Sequence, residues 1–219
     1  MALITGNNTD ETIYAPEDPG DDPVTGNRVL AKGGDDTIYG SSNPDGLFGG
    51  DGNDEINAKV NQSGSGDLLI GDEGSDDLNG SAGDDVINGD NIKQAADDDN
   101  KPNNDVLDGR AGDDDLRGGI GNDLYIHRMS DGGQDTIKED LSAANATGFG
   151  GGSDALFMAD VNSGDIHFDL AGDDLVISDA LDAADGSLDE GVVIQDQFGS
   201  GENAVETLFT SDGGEFALI

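Results

Sequence analysis

Gly49-Gly50-Asp51-Gly52-Asn53-Asp54-Glu55-Ile56-Asn57 is the stretch from which the architecture of this 219-residue chain can be read. Six residues of glycine, acid and amide precede a three-residue unit with one apolar side chain at its centre. In so short a strand the side chains alternate, so Ile56 points inward while Glu55 and Asn57 stay outside. The glycines permit positive φ in the turn and leave backbone carbonyls open to approach by an ion. The same pattern, G-G-x-G-x-D-x-U-x with U a large apolar residue, returns in full at Gly118-Gly119-Ile120-Gly121-Asn122-Asp123-Leu124-Tyr125-Ile126. Good partial copies occupy residues 71–79, 80–88 and 109–117, and weaker ones occupy 31–39 and 40–48.

Following U along the chain gives Ile13, Val29, Ile38, Leu47, Ile56, Leu69, Leu78, Ile87, Leu107, Leu116 and Tyr125, separated by 16, 9, 9, 9, 13, 9, 9, 20, 9 and 9 residues. A disordered acidic linker has no reason to hold large apolar residues in phase. The three long separations read as longer turns near residues 15–25, 58–64 and 89–103, the last carrying Asp97-Asp98-Asp99 as a solvated acidic loop. Nine residues make half a coil, so two repeats complete one turn of a flattened, right-handed solenoid. The expected fold is all-β: a parallel β-roll of nonapeptide repeats with a C-terminal β cap.

In such a roll the consensus aspartates line up along two edges. One ladder is Asp36, Asp54, Asp76, Asp105 and Asp123; the other is Asp45, Asp67, Asp85 and Asp114. Ladder neighbours would lie about 4.8 Å apart, the strand spacing, where bare carboxylates repel. A hard divalent cation shared by successive turns turns that repulsion into coordination by carboxylate and carbonyl oxygens. One ion per same-edge pair of turns gives about eight Ca²⁺. The glycines expected to shape these sites are Gly34, Gly49, Gly50, Gly52, Gly71, Gly74, Gly80, Gly83, Gly109, Gly112, Gly118, Gly119 and Gly121.

Composition agrees and removes alternatives. The chain has 49 Asp plus Glu against 9 Lys plus Arg, a net charge of −40, with 36 glycines and 33% hydrophobic residues. Low hydrophobicity with high net charge predicts disorder, unless a ligand specific to the folded form adds its binding free energy to stability. A nucleic-acid partner needs a basic stripe that is missing here. Anionic lipid is repelled by the same charge. With no cysteine, neither a zinc–thiolate site nor a disulfide framework is available. No apolar run approaches the length of a membrane span. The start of the sequence also lacks the basic and apolar regions of a cleaved signal peptide.

The nonapeptides resemble the RTX, or haemolysin-type, calcium-binding repeats, over roughly residues 6–126. That resemblance implies a parallel β-roll and Ca²⁺ held between turns by Asp and glycine carbonyls, with folding coupled to calcium. It also implies export by type I secretion machinery through an uncleaved C-terminal signal, hence a secreted, extracellular protein. Glu11 and Asn27 stand where the pattern has Asp. Gln134-Asp135-Thr136-Ile137 is a candidate twelfth repeat, with Asp135 and Ile137 in the consensus roles, or else part of a linker.

The expected organisation is a repeat roll over 1–126, a last repeat or linker over 127–153, and a cap over 154–219 carrying the secretion region. Asp154-Ala155-Leu156-Phe157, residues 164–168, 172–177, 191–194 and 203–209 alternate or cluster apolar residues between Gly/Asp turns, as short strands do. Glu215-Phe216-Ala217-Leu218-Ile219 resembles the acid-then-hydrophobic ending of type I substrates, and reads equally as a last cap strand. Residues 179–190 insert an acidic loop.

No enzyme is read. His127 and His167 lie in no H-E-x-x-H, and no G-x-S-x-G or phosphate-binding glycine loop occurs; each histidine reads as a structural polar residue. Leu30, Phe48, Leu68, Ile70 and Val86 flank U on one outer face and are expected to form an apolar strip for self-association or domain docking, or to lie under a loop. The competing function is a polysaccharide- or partner-binding module of a secreted enzyme or adhesin, disfavoured for acidic polymers because Arg28, Arg110 and Arg117 are isolated.

Overall fold

A computed structural model describes residues 2–17, 26–59, 66–90, 103–138, 152–179, 190–198 and 205–218. Much of the three long turns lies outside these residues, as do Asp97-Asp98-Asp99 and most of the 179–190 loop. Among the described residues nineteen strands are present in chain order. They are β1 Leu3–Thr5, β2 Thr12–Tyr14, β3 Arg28–Gly33, β4 Thr37–Tyr39, β5 Gly46–Asp51, β6 Glu55–Asn57, β7 Leu68–Glu73 and β8 Asp77–Asn79. There follow β9 Val86–Asn88, β10 Val106–Asp108, β11 Asp115–Arg117, β12 Leu124–His127, β13 Gly133–Ile137 and β14 Asp154–Met158. The last five are β15 Ile166–Ala171, β16 Asp174–Asp179, β17 Glu190–Ile194, β18 Val205–Thr210 and β19 Glu215–Ala217.

From β1 to β14, odd and even strands separate into two sheets. One runs β1-β3-β5-β7-β9-β11-β13-β17-β16-β15, the other β19-β18-β14-β12-β10-β8-β6-β4-β2. From β1 to β14 every pairing is parallel and joins strands two apart in the chain, so each coil contributes one strand to each sheet. This is a parallel β-roll.

The register explains the core. Val29, Leu47, Leu69, Ile87, Leu116 and Ile137 are Cα partners in succession down one sheet. Ile13, Ile38, Ile56, Leu78, Leu107, Tyr125, Leu156 and Leu208 do the same in the other. All are buried. With one inward side chain per repeat, each sheet is lined by a single column, and every column member carries a large share of its coil's apolar contact. Ile4, half-buried opposite Val29, adds a first repeat that the sequence reading passed over, although it stands nine residues before Ile13.

Both sheets continue past residue 126. β13 and β14 extend the parallel columns, and β17 and β18 pair parallel with them. Antiparallel pairing begins only at β16 with β17, β15 with β16, and β18 with β19. There the sheets converge, Phe168 of β15 packing edge-on against Phe216 of β19 with ring centroids 5.6 Å apart. No helix among the described residues is long and apolar enough to cross a membrane.

Leu78 sits between Ile56 and Leu107 in its column and is fully buried. Leu78→Ala is expected to cost about 2–5 kcal/mol, read as a lower urea midpoint in the same buffer; a change within a few tenths would mean the column is not the core.

Candidate metal centre

The turns fall on two edges. Edge one carries the chain from the ten-stranded to the nine-stranded sheet, and edge two carries it back. On edge one the backbone N–H of each consensus acid donates to Oδ1 of the next coil's aspartate. Glu11 donates to Asp36, Asp36 to Asp54, Asp54 to Asp76, Asp76 to Asp105, Asp105 to Asp123 and Asp123 to Asp154, at 2.7–2.8 Å. On edge two Asn27 donates to Asp45, Asp45 to Asp67, Asp67 to Asp85, Asp85 to Asp114 and Asp114 to Asp135, at 2.5–3.2 Å. Both aspartate ladders are therefore present in the register that the spacing predicts. Asp154, followed by Glu206 whose Oε2 accepts the Asp154 N–H, extends edge one further than the sequence reading carried it. The signal was there: Gly152-Ser153-Asp154-Ala155-Leu156 repeats the G-x-D-x-U core.

The second carboxylate oxygen distinguishes this arrangement from an ordinary hydrogen-bonded turn. Oδ2 of Asp36, Asp54, Asp76, Asp105, Asp114 and Asp123 is buried without a hydrogen-bond partner. These residues are 1–2% exposed. A buried polar oxygen without a partner is costly, and a buried charge more so.

Glycine makes room for these oxygens. A Cβ at Gly49, Gly71, Gly109 or Gly118 would collide with Oδ2 of Asp54, Asp76, Asp114 or Asp123 respectively. The next coil's carbonyl crowds the same place, with Gly71 O 2.8 Å from a Cβ at Gly49 and Gly89 O 2.7 Å from one at Gly71. Gly80 is confined in the same way by Asp85 and Gly109. Close approach, rather than positive φ, is what selects glycine at this first position. Positive φ is found instead at the later glycines: Gly34, Gly50, Gly52, Gly74, Gly83, Gly112, Gly119 and Gly121.

These donors fit a hard divalent cation. Carboxylate and carbonyl oxygens from successive coils converge on a place no side chain can enter, the donor chemistry Ca²⁺ prefers. Among the described residues no three carboxylate or imidazole groups converge, so an ion between coils would have to draw on backbone carbonyls besides the aspartates. The orphaned Asp54, Asp76, Asp105, Asp114 and Asp123 with the neighbouring first glycines would hold it, and the ion would supply the missing counter-charge.

The other candidate residues sort clearly. Asp45 and Asp85 Oδ2 accept the Ser41 and Ser81 backbone N–H groups, at 2.5 and 2.7 Å, and Asp67 Oδ2 accepts the Ser81 hydroxyl at 3.0 Å. Asp135 Oδ2 lies 2.7 Å from His127 Nδ1, both side chains 1% exposed. His127 stands at the inward position that is glycine in most coils, and nothing in the repeat pattern announced that pairing. His167, half-exposed, faces Asp169 at 3.2 Å. Leu30, Phe48 and Ile70 are Cα partners across β3, β5 and β7, as are Leu68 and Val86 across β7 and β9. All five are half-buried, with the Arg28 guanidinium 4.7 Å above the Phe48 ring.

Burial drives the carboxyls upward from their ordinary 3.8: Asp54 and Asp154 to about 6, Asp67 and Asp123 to about 7, Asp76 to about 8 and Asp105 to about 9. The charge of Asp76 adds to the burial of Asp105, and Asp135 pushes Asp114 in the same direction. A carboxyl whose folded value is raised favours folding when protonated. That contribution is complete below the unfolded value near 4 and is lost as pH rises through about 6 to 9. With divalent cations chelated, acidification from pH 8 to pH 5 is therefore expected to increase β-structure by far-UV circular dichroism. A chelated chain equally unfolded at both would contradict the raised values.

A family model for the RTX calcium-binding nonapeptide repeat matches residues 25–56, 63–91 and 102–125, in four copies. A search of curated proteins finds no match. The matched segments contain every orphaned consensus aspartate and the glycines that make room for their oxygens. Across residues 25–125 the chain thus carries RTX calcium-binding nonapeptide repeats, a repeat type that supports calcium binding.

Proposed function

We propose that the chain is a calcium-dependent structural module, unfolded where calcium is scarce and assembled into its β-roll where calcium is abundant. The single observation that carries this is the row of buried aspartate oxygens without partners. A metal-free roll keeps this cost, whereas a calcium-loaded roll converts each oxygen into a ligand, so binding free energy becomes folding free energy. In this reading Asp36, Asp54, Asp76, Asp105, Asp114 and Asp123 are ligands, and about eight ions, one per same-edge pair of coils, is the upper count, reached only if every turn of both edges loads.

Export by a type I system into a calcium-rich medium is the setting the RTX resemblance favours. A chain of charge −40 would stay extended in a calcium-poor cytosol and fold once outside, which would favour outward movement. The organisation proposed with it is a repeat roll over 1–126 closed by a C-terminal cap over 154–219. No catalytic role is assigned to His127 or His167, since one is enclosed against Asp135 and the other lies exposed beside Asp169.

The decisive measurement is far-UV circular dichroism in EGTA followed by titration with Ca²⁺, with Mg²⁺ as control. The expected outcome is a coil spectrum that becomes β-rich with Ca²⁺, while Mg²⁺, smaller and reluctant to shed its waters, has little effect. A chain already β-rich in EGTA and indifferent to calcium would overturn the proposal.

A further inference from the structure

The two edges are not equivalent. On edge one, all five consensus aspartates from Asp36 to Asp123 keep an orphaned Oδ2. On edge two only Asp114 does; Asp45, Asp67, Asp85 and Asp135 each have that oxygen occupied by a group of the chain itself. The occupants are the Ser41 and Ser81 N–H groups, the Ser81 hydroxyl and the His127 ring.

The sorting has a backbone cause at the second residue of each turn. In five of the six orphaned turns the second residue (Lys32, Gly50, Asp72, Arg110 or Gly119) is left-handed, with φ of 73–115°; Asp90, in the Asp105 turn, is not, but its N–H likewise points away from its own acid. The N–H of Asp72 donates across to Gly89 O of the next coil at 2.9 Å, and that of Asp90, in the orphaned Asp105 turn, to Gly118 O at 3.1 Å. Ser41 and Ser81 are not left-handed, and their N–H groups turn back onto the acid of their own turn. Glu11 is closed in the same way by the Asn7 N–H at 2.7 Å. At the last edge-two turn, His127 replaces the first glycine and its ring occupies the place beside the carboxylate that stays open elsewhere.

We propose that calcium loads the two edges unequally: edge one from Asp36 to Asp123, together with the Asp114 turn, takes the metal, while Ser41, Ser81 and His127 hold the Asp45, Asp67, Asp85 and Asp135 turns without it. This rests on the calcium reading above and makes it specific to named turns. One edge is then a calcium-dependent clasp, and the other a largely metal-free seam that the chain's own groups close once the roll has formed.

The test is Ca²⁺ stoichiometry by equilibrium dialysis with elemental analysis on the full chain, and the same measurement on variants. Asp54→Asn and Asp76→Asn are each expected to lose about one ion and to raise the calcium midpoint of folding several-fold. Asp67→Asn and Asp85→Asn are expected to keep the wild-type count. His127→Gly restores the consensus glycine, frees Asp135 and is expected to gain about one ion, a readout independent of whether edge-one variants fold. Loss of an ion from Asp85→Asn equal to that from Asp54→Asn, with no gain in His127→Gly, would overturn unequal loading while leaving calcium binding intact. A wild-type chain that binds no calcium would overturn both.

Discussion

Everything in this roll depends on one unfavourable placement: a carboxylate oxygen, buried in five successive coils of one edge, with no hydrogen-bond partner from the protein. Oδ1 of each aspartate is satisfied by the neighbouring coil's N–H, and this stitches coil to coil. Oδ2 is left over. Repeating that arrangement along the edge stacks like charges at about the strand spacing, and burial drives the carboxyls far above their usual range. The remainder of the fold is too thin to absorb the cost unaided. One inward side chain per nonapeptide gives two single columns of apolar residues, and the outer faces are largely polar.

In the proposed function the cation is therefore a structural component, in the sense that a core side chain is. It is also a conditional one, because its concentration is set by the surroundings and not by the chain. A protein assembled in this way has its folding equilibrium controlled from outside, with protons competing for the same oxygens. Acid and calcium act on the same groups by different means, one removing the charge and the other neutralising it by coordination.

Departures from the repeat acquire meaning against that constraint. Serine at the second position, in place of glycine or a strained left-handed residue, returns its N–H to the turn's own acid. A histidine at the first position sets an imidazole against the acid of its turn. Such substitutions look like erosion of a consensus, but each supplies from the polypeptide a partner that the consensus turn lacks. At the C-terminal end the two columns continue through Ile137 and Leu156 to Ile194 and Leu208, and only beyond these are the strands antiparallel.

The sequence by itself determined the coil, the two sheets, the inward column and the alternation of aspartates between edges, because a nine-residue period with one apolar residue in phase admits little else. Even the interrupted spacings of 13, 16 and 20 residues preserved the register, since the extra residues fall in turns where chain length is cheap. Which aspartates lack a partner was decided only in three dimensions. Asp54 and Asp85 hold the same place in the pattern, and what separates them is the sign of φ at Gly50 and Ser81 and the direction of one N–H. The contact of His127 with Asp135, and the close approach that demands glycine at Gly49 and Gly71, likewise belong to distances between coils. A linear period specifies which residues recur; it does not specify what stands beside them in the coil above.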